Sequence, residues 1–430
     1  MKPFTENQVM NYNLQKTFLA TALSLAIAPA VYATNGMAPT GLGQVHEAMG
    51  GAAVGNPQNT TTLMTNPAAG SFIDDGFDVG LEIFIPDRSA KSNFDPSLPP
   101  FSGNGKKNFL IPEAAYKKSV GKYALGISMY GNGGMNTKYK DSPKFPTPNG
   151  PFPMNGGAAS ATGINLEQLF IAPTISTKLN DKHSVGLAVN LVMQKFKAQG
   201  IGAFQGDPRA NPNELKAFTN PGSSTATGIG AQIGWMGKLN DKFTVGASYR
   251  FKTKMSAFKK YKGLFADHGK LDVPAALTIG ASAQISSRTT VAFDVQKIYY
   301  SDVTAIGNGF DARGRFGDKD GPGFGWDDQT VYKLGIKTQA TPKLAVMAGY
   351  NHGKAPLDSK DTFFNVLAPA TVEDHLSLGF EYSLSKDSSI IGSYTHTFKN
   401  TIKGDLLNAH QPFDLTMEQD AAGIAYSKRF

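Results

Sequence analysis

The chain has 430 residues, 40% of them hydrophobic and 10% aromatic, with 47 glycines and a formal charge of +8. A mean hydropathy of -0.25 excludes a bundle of membrane helices, and the lack of cysteine excludes disulfide frameworks, thiolate metal sites and cysteine nucleophiles. The basic balance comes without a basic helix or a zinc pattern, so it fits anionic lipid head-groups and not nucleic acid.

Residues 1–33 read as a secretory signal peptide. Lys2 and Lys16 supply positive charge, Phe18 to Ala30 form a short apolar run, and Val31-Tyr32-Ala33 places small residues at a cleavage site. Residues 34–75 read differently. Gly41 to Phe72 is rich in Gly, Ala, Asn and Thr and almost uncharged. It shows neither a helical stripe nor a strand alternation. Such a segment is expected to pack inside something larger, as a plug or hatch. Its glycines, Gly41, Gly43, Gly50 and Gly51 among them, suit a piece that packs weakly and is displaced.

Residues 76–430 alternate apolar and polar side chains with a period of two. Clean runs lie at 77–85, 123–129, 185–193, 229–239, 243–251, 271–285, 291–295, 332–336, 344–350, 376–384 and 422–430. Weaker ones lie at 108–120, 164–179 and 389–398. The opposite faces carry Gly, Ser, Thr, Gln, Asn, Lys and Arg, too polar for a sandwich core. An apolar face toward lipid and a mixed face toward a lumen predict an all-β fold, a 14-stranded antiparallel transmembrane β-barrel plugged by the N-terminal hatch.

The connections alternate short and long. Short ones include Gly121-Lys122, Asn180-Asp181-Lys182 and Asn240-Asp241-Lys242, and KLNDKHSVG is echoed by KLNDKFTVG. Asn-Asp is strong turn chemistry. Long connections, such as 131–162, 200–225 and 302–327, are rich in Gly, Pro, Asn and Asp. Short turns on one side and long loops on the other predict a bacterial outer-membrane protein with both ends of the barrel on the periplasmic side.

Four features mark candidate sites. The third strand, from Tyr123, runs into Gly131-Asn132-Gly133-Gly134, where glycine permits a bulge or kink. On the seventh strand Arg250, Lys252 and Lys254 share the expected lumen side and are able to hold a carboxylate head-group. Phe258, Leu264 and Phe265, in the loop that follows, are expected to form an outer hydrophobic groove. Lys195, Lys197, Lys259, Lys260 and Lys262 are expected to meet lipopolysaccharide phosphates.

The chain resembles the FadL/TodX family of outer-membrane transporters for hydrophobic compounds. The likeness covers nearly the whole mature chain. It is most specific in GLG…GGAAVGNPQNTTTLMTNPA, which ends in Asn66-Pro67-Ala68, and in LNDKHSVGLAVNLV and Tyr249-Arg250. The resemblance implies a hatch containing Asn66, Pro67 and Ala68, and a ligand captured among the outer loops. From a deeper pocket that ligand leaves through a lateral gap at an inward kink of the third strand, near Met129 to Gly134. A head-group lysine of the family aligns at Asp327, which leaves room for neutral hydrocarbons beside fatty acids. About fifteen methylenes in water cost on the order of 12 kcal/mol, so an apolar route through a plugged barrel helps where a watery pore does not.

Phe430, with Tyr426 and Ile424, resembles the C-terminal signature read by the barrel assembly machinery. A monomer is expected, with a long-chain fatty acid or hydrocarbon as ligand and outer-membrane lipid and lipopolysaccharide around it. The alternatives are a general diffusion porin or an adhesion or structural barrel. No enzyme, cofactor or metal is expected: no nucleophile elbow is present, the seven histidines lack metal spacing, and the Gly307–Ala312 match to a dinucleotide pattern sits in a loop.

Overall fold

The computed structural model describes residues 34–145, 147, 151–158, 160–405 and 413–430; the expected signal peptide, 1–33, lies outside them. Fourteen long strands are present among the described residues. They are β1 (Gly76–Ser92), β2 (Phe109–Val120), β3 (Tyr123–Asn136), β4 (Gly163–Lys178), β5 (His183–Gln199), β6 (Ser224–Lys238) and β7 (Phe243–Arg250). The rest are β8 (Ala276–Gln284), β9 (Thr289–Ile298), β10 (Gln329–Gln339), β11 (Leu344–Gly353), β12 (Asp374–Ser383), β13 (Ser388–Ile402) and β14 (Phe413–Arg429). Each strand pairs antiparallel with the next in sequence. β14 returns to β1, from Gly76↔Arg429 to Ser92↔Phe413, and closes the barrel. Closure leaves no free sheet edge, the condition for a sheet to survive in lipid.

The period of two decides the faces. On β5, Leu187, Val189, Leu191 and Met193 are exposed while Ala188, Asn190, Val192 and Gln194 are buried. Leu81, Ile127, Ile233, Phe293, Leu334 and Leu378 extend the exposed apolar band around the wall. Glu82, Gln232, Asp294, Lys333 and Asn351 lie on the inner face and are buried. A charge on the lipid face costs about 2–4 kcal/mol at mid-membrane, so the alternation allows one register only. The short turns follow their sequence. Asn180 Oδ1 accepts from the Lys182 and His183 amides, and Asn240 Oδ1 accepts from Lys242 and Phe243, all at 2.9 Å.

Several strands are longer than their alternation. β1 runs past Pro86 to Ser92, because its pairing with β2 ends at Phe84↔Phe109 and no N–H is required of Pro86 on that side. β8 is shorter than expected and starts at Ala276. Pro274 breaks the alternation, and Leu271 and Val273 are buried under the loops, away from lipid.

Candidate transport site

The N-terminal segment is seated on the inner wall by polar contacts. Its backbone makes two short helices, α1 (Gln44–Glu47) and α2 (Thr62–Thr65), and a 3-10 turn, Pro67–Ser71. Asn66 caps that turn by accepting from Ala68 N at 3.0 Å, and donates to Val54 O at 2.8 Å and Trp235 O at 3.0 Å. Pro67 follows at the first turn position, where its missing N–H is harmless. Ala53 N and Val54 N donate to Asp294 Oδ2 at 2.8 and 2.9 Å. Gln44 N donates to Glu113 Oε1 at 3.0 Å, and Lys333 Nζ to Thr40 O at 3.0 Å.

Inward glycines of the wall let this segment close up. A Cβ on Gly186, Gly234, Gly246 or Gly349 would collide with Pro67, Asn66, Val54 or Gly50. Within the segment, Gly43 and Gly51 adopt φ of +90° and +85°, where a side chain is strained. Gly41 packs on Gly51, at 2.9 Å from a would-be Cβ to its Cα. Burial pushes the Glu47 carboxyl up to about 7, although the Gly41 N–H and Lys333 pull it down. Burial, then the charge of Lys337, pushes the His46 imidazole down to about 3. Between about pH 3 and 7 these two buried side chains are therefore seated in their neutral forms.

The predicted kink residues meet at a break in the wall. β3 pairs with β2 only from Val120↔Tyr123 to Glu113↔Tyr130. Beyond Tyr130, β3 bulges against β4: Gly131 faces Leu169 and Gly134 faces Glu167, so Asn132 and Gly133 oppose Gln168 alone. Gly133 has φ +122°. Phe109 to Pro112 of β2 thus have no β3 partners in the ladder. Met129 is still paired, with Ala114, below the break. Phe84, Phe109 and Ile111 form an apolar cluster beside it. The far side is bridged by Arg88, which the sequence did not mark. Its guanidinium donates to Asn136 O, to Asn136 Oδ1 at 3.1 Å and to Lys106 O at 2.7 Å.

The three expected head-group cations do not act together. Arg250 faces a cavity of about 50 Å³ with Lys333, Asn132, Gln232, Met64 and Leu42. Its Nε is sealed from solvent without a partner. Its guanidinium carbon lies 5.8 Å from the Phe170 ring centre, and Phe170 stacks on Tyr130 with centres 5.4 Å apart. Lys252 is instead exposed and donates to Asp302 O at 3.1 Å, and Lys254 is exposed as well. The cause is one extra residue on this strand. Arg250 faces Gln232 but Lys254 faces Ile229, so the side-chain phase flips between them.

The outer loops hold aromatic side chains in place of an open groove. Phe258, Leu264 and Phe265 are all buried, and Phe196 meets Phe265 and Tyr261 at 4.6 and 4.7 Å. Phe204, Phe310, Phe363 and Phe364 pack at 5.0–5.9 Å. One apolar cluster runs from these loops through Phe170 and Tyr130 to Met37 and Met64 of the N-terminal segment. Lys195, Lys197, Lys259, Lys260 and Lys262 are exposed. Tyr300, also unmarked by the sequence, ties the N-terminus to this cluster: its hydroxyl accepts from Met37 N at 3.1 Å and donates to Asn35 O at 2.5 Å.

Residues 19–430 match the family model described as "Outer membrane protein transport protein (OMPP1/FadL/TodX)". No curated protein matches the chain. Among solved structures, the Pseudomonas putida toluene transporter TodX is similar with a TM-score of 0.68 at 20% identity, covering 91% of this chain and 99% of that one. A Pseudomonas aeruginosa FadL homologue gives 0.65 at 16%, covering 92% and 99%. The Ralstonia pickettii toluene transporter TbuX gives 0.61 at 20%, covering 91% and 99%. At these identities the likeness is one of fold.

Proposed function

The chain belongs to the OMPP1/FadL/TodX family of outer-membrane transport proteins, and from that premise we propose that it takes up long-chain fatty acids or related hydrophobic compounds. In this reading residues 1–33 are a signal peptide, 34–75 a hatch and 76–430 the barrel. Ligand enters through the aromatic loop cluster and reaches the cavity at Arg250. It then moves along the apolar side chains toward the break between β2 and β3, and leaves sideways into the membrane. The cavity is large enough for a head-group and too small for an acyl chain, so passage requires the hatch to shift.

The observation that carries the reading is Arg250. Among the described residues its guanidinium makes no hydrogen bond or ion pair, although it fronts a cavity continuous with apolar side chains. A half-buried guanidinium whose Nε is sealed from solvent without a partner is costly, and a carboxylate satisfies it with charge-assisted bonds. A second reading, neutral monoaromatic compounds, is favoured by the phenyl rings of the outer cluster and by the toluene transporters among the similar folds.

Uptake of labelled oleate and of labelled toluene, in cells lacking other importers, tests both. Arg250→Met is expected to cut oleate uptake about tenfold, the equivalent of about 1.4 kcal/mol, and to leave toluene uptake unchanged. Unchanged oleate uptake in the variant would remove the head-group role. No uptake of either compound by the wild type would remove the transport reading.

A further inference from the structure

The outer wall carries the same three-residue arrangement twice. On β11, Tyr350 and His352 point outward two residues apart, and both bond Asp374 Oδ1 on β12, His352 through Nδ1 at 2.7 Å. On β13, Tyr394 and His396 bond Asp420 Oδ1 on β14 at 2.6 and 2.9 Å. In both cases histidine and aspartate are direct cross-strand partners. All six residues stand on the outward face. The side chains of His352 and Asp374 are 43% and 39% exposed, and those of His396 and Asp420 are 31% and 44% exposed.

Ionisable side chains on a lipid-facing wall are tolerated at the interface, where their cost falls to about 0–1 kcal/mol. The first triad stands at the long-loop ends of β11 and β12, and the second lies one row below it at mid-strand on β13 and β14, which run on past it, so the interface they approach is the outer one. Lys354, Lys399 and Lys403 are exposed just beyond them. In each triad the aspartate Oδ1 takes one bond from the tyrosine hydroxyl and meets histidine Nδ1, which leaves Nε2 on the outward side of the ring. Among the described residues neither Nε2 has a hydrogen-bond partner. The two histidines are two strands and one row apart, on the order of 12 Å.

We propose that the two Tyr-His-Asp triads form a docking site for the phosphorylated head-group of an outer-leaflet glycolipid, each histidine Nε2 donating to a phosphate oxygen. With Nδ1 held by the aspartate, a proton on Nε2 is free to be shared with a phosphate oxygen. The lysines above extend the same positive rim. The spacing suits one head-group that carries two phosphates.

The purified full-length barrel in detergent, titrated with diphosphorylated lipid A and read by native mass spectrometry, tests this. The wild type should retain diphosphorylated lipid A at least fivefold more tightly than its dephosphorylated form. His352→Gln with His396→Gln should weaken retention about tenfold, each single change by less, and lysine at both positions should restore it. Equal retention of the two lipids by the wild type would overturn the proposal without any variant. So would a double variant that keeps the heat-modifiable migration of a folded barrel and binds diphosphorylated lipid A as the wild type does.

Discussion

The amide of Gly134, on the bulged end of β3, donates to the carbonyl of Met37 at 3.1 Å. One bond thus joins the break in the wall to the N-terminal segment. Gly133 lies beside it, and a Cβ there would stand 2.7 Å from the same carbonyl. With φ at +122°, any other residue also carries backbone strain of about 1–3 kcal/mol. Gly133→Val is therefore expected to push Met37 off and flatten the bulge. The barrel should still fold, since the change lies at a local irregularity. Oleate uptake should fall about tenfold, measured with labelled substrate. Normal uptake by the folded variant would separate the bulge from the route.

Arg88 holds the other end of the break through Asn136 and Lys106. It is 2% exposed. Arg88→Met keeps the apolar stem and removes the donors, leaving the buried Asn136 carbonyl short of a partner at about 1–3 kcal/mol and the half-buried Lys106 carbonyl at less. Faster hydrogen exchange is expected at 132–136, with little change in the strands on the far side of the barrel. The uptake ratio of bulky to small hydrocarbons should rise as the opening loosens. A ratio equal to that of the wild type would argue that Arg88 only supports the loop.

Asn66 makes three bonds at once, one of them the cap of the Pro67–Ser71 turn. Asn66→Ala is expected to weaken the seat of the segment by roughly 2–4 kcal/mol. Exchange of amides 44–71 should accelerate at least tenfold while the thermal unfolding of the barrel stays the same. Equal protection in the variant would show that the seat depends on other contacts, such as those to Asp294.

Most of the wall was legible because lipid enforces a strict period of two. Leu187 to Met193 could be assigned to the outside from sequence, and Asn190 and Gln194 to the inside. What escaped was any place where one residue changes the phase. Arg250 and Lys254 are four apart and read as one face; a single extra residue between them puts Lys254 outside. The bulge at Asn132–Gly133 was legible for the opposite reason, since consecutive glycines announce it. Arg88 sits in a strand beside Pro86, and its partner Asn136 lies in what read as a loop, so no local pattern joins them. The triads were hidden because register across two hairpins is invisible in one strand's text. Phe258, Leu264 and Phe265 read as the lining of an outer groove, but all three are buried, and whether such side chains line a groove or fill it depends on several loops at once.

Residues 34–72 stand between the two ends of a lumen lined with Asn, Gln, Asp and Lys. Removing them is expected to leave a polar, hydrated channel. In planar bilayers the deletion should raise single-channel conductance several-fold over the intact protein, and oleate uptake should lose its preference over small polar solutes. A general porin predicts the reverse comparison: high conductance in the intact protein and little change on deletion.

Glu47 gives the seat of this segment a pH dependence whose sign is fixed. Docked, its carboxyl is held up at about 7 by burial; displaced into water it returns to its ordinary 4.5. Below about 4.5 both forms carry the proton and the difference vanishes. Between about 4.5 and 7 the docked form keeps a proton that the displaced form has lost, so each rise in pH favours displacement. Above about 7 the penalty is constant. The full swing is on the order of 3 kcal/mol, enough to raise displacement about a hundredfold. Glu47→Gln keeps an acceptor for the Gly41 amide and removes the titration. Hydrogen exchange of amides 44–71, corrected for its intrinsic pH dependence, should therefore accelerate with pH in the wild type and stay flat in the variant. The same slope in both proteins would assign the titration to Glu82 or Glu113, which lie close enough to Glu47 to repel it, and no slope in the wild type would show that the segment leaves its seat with Glu47 still buried.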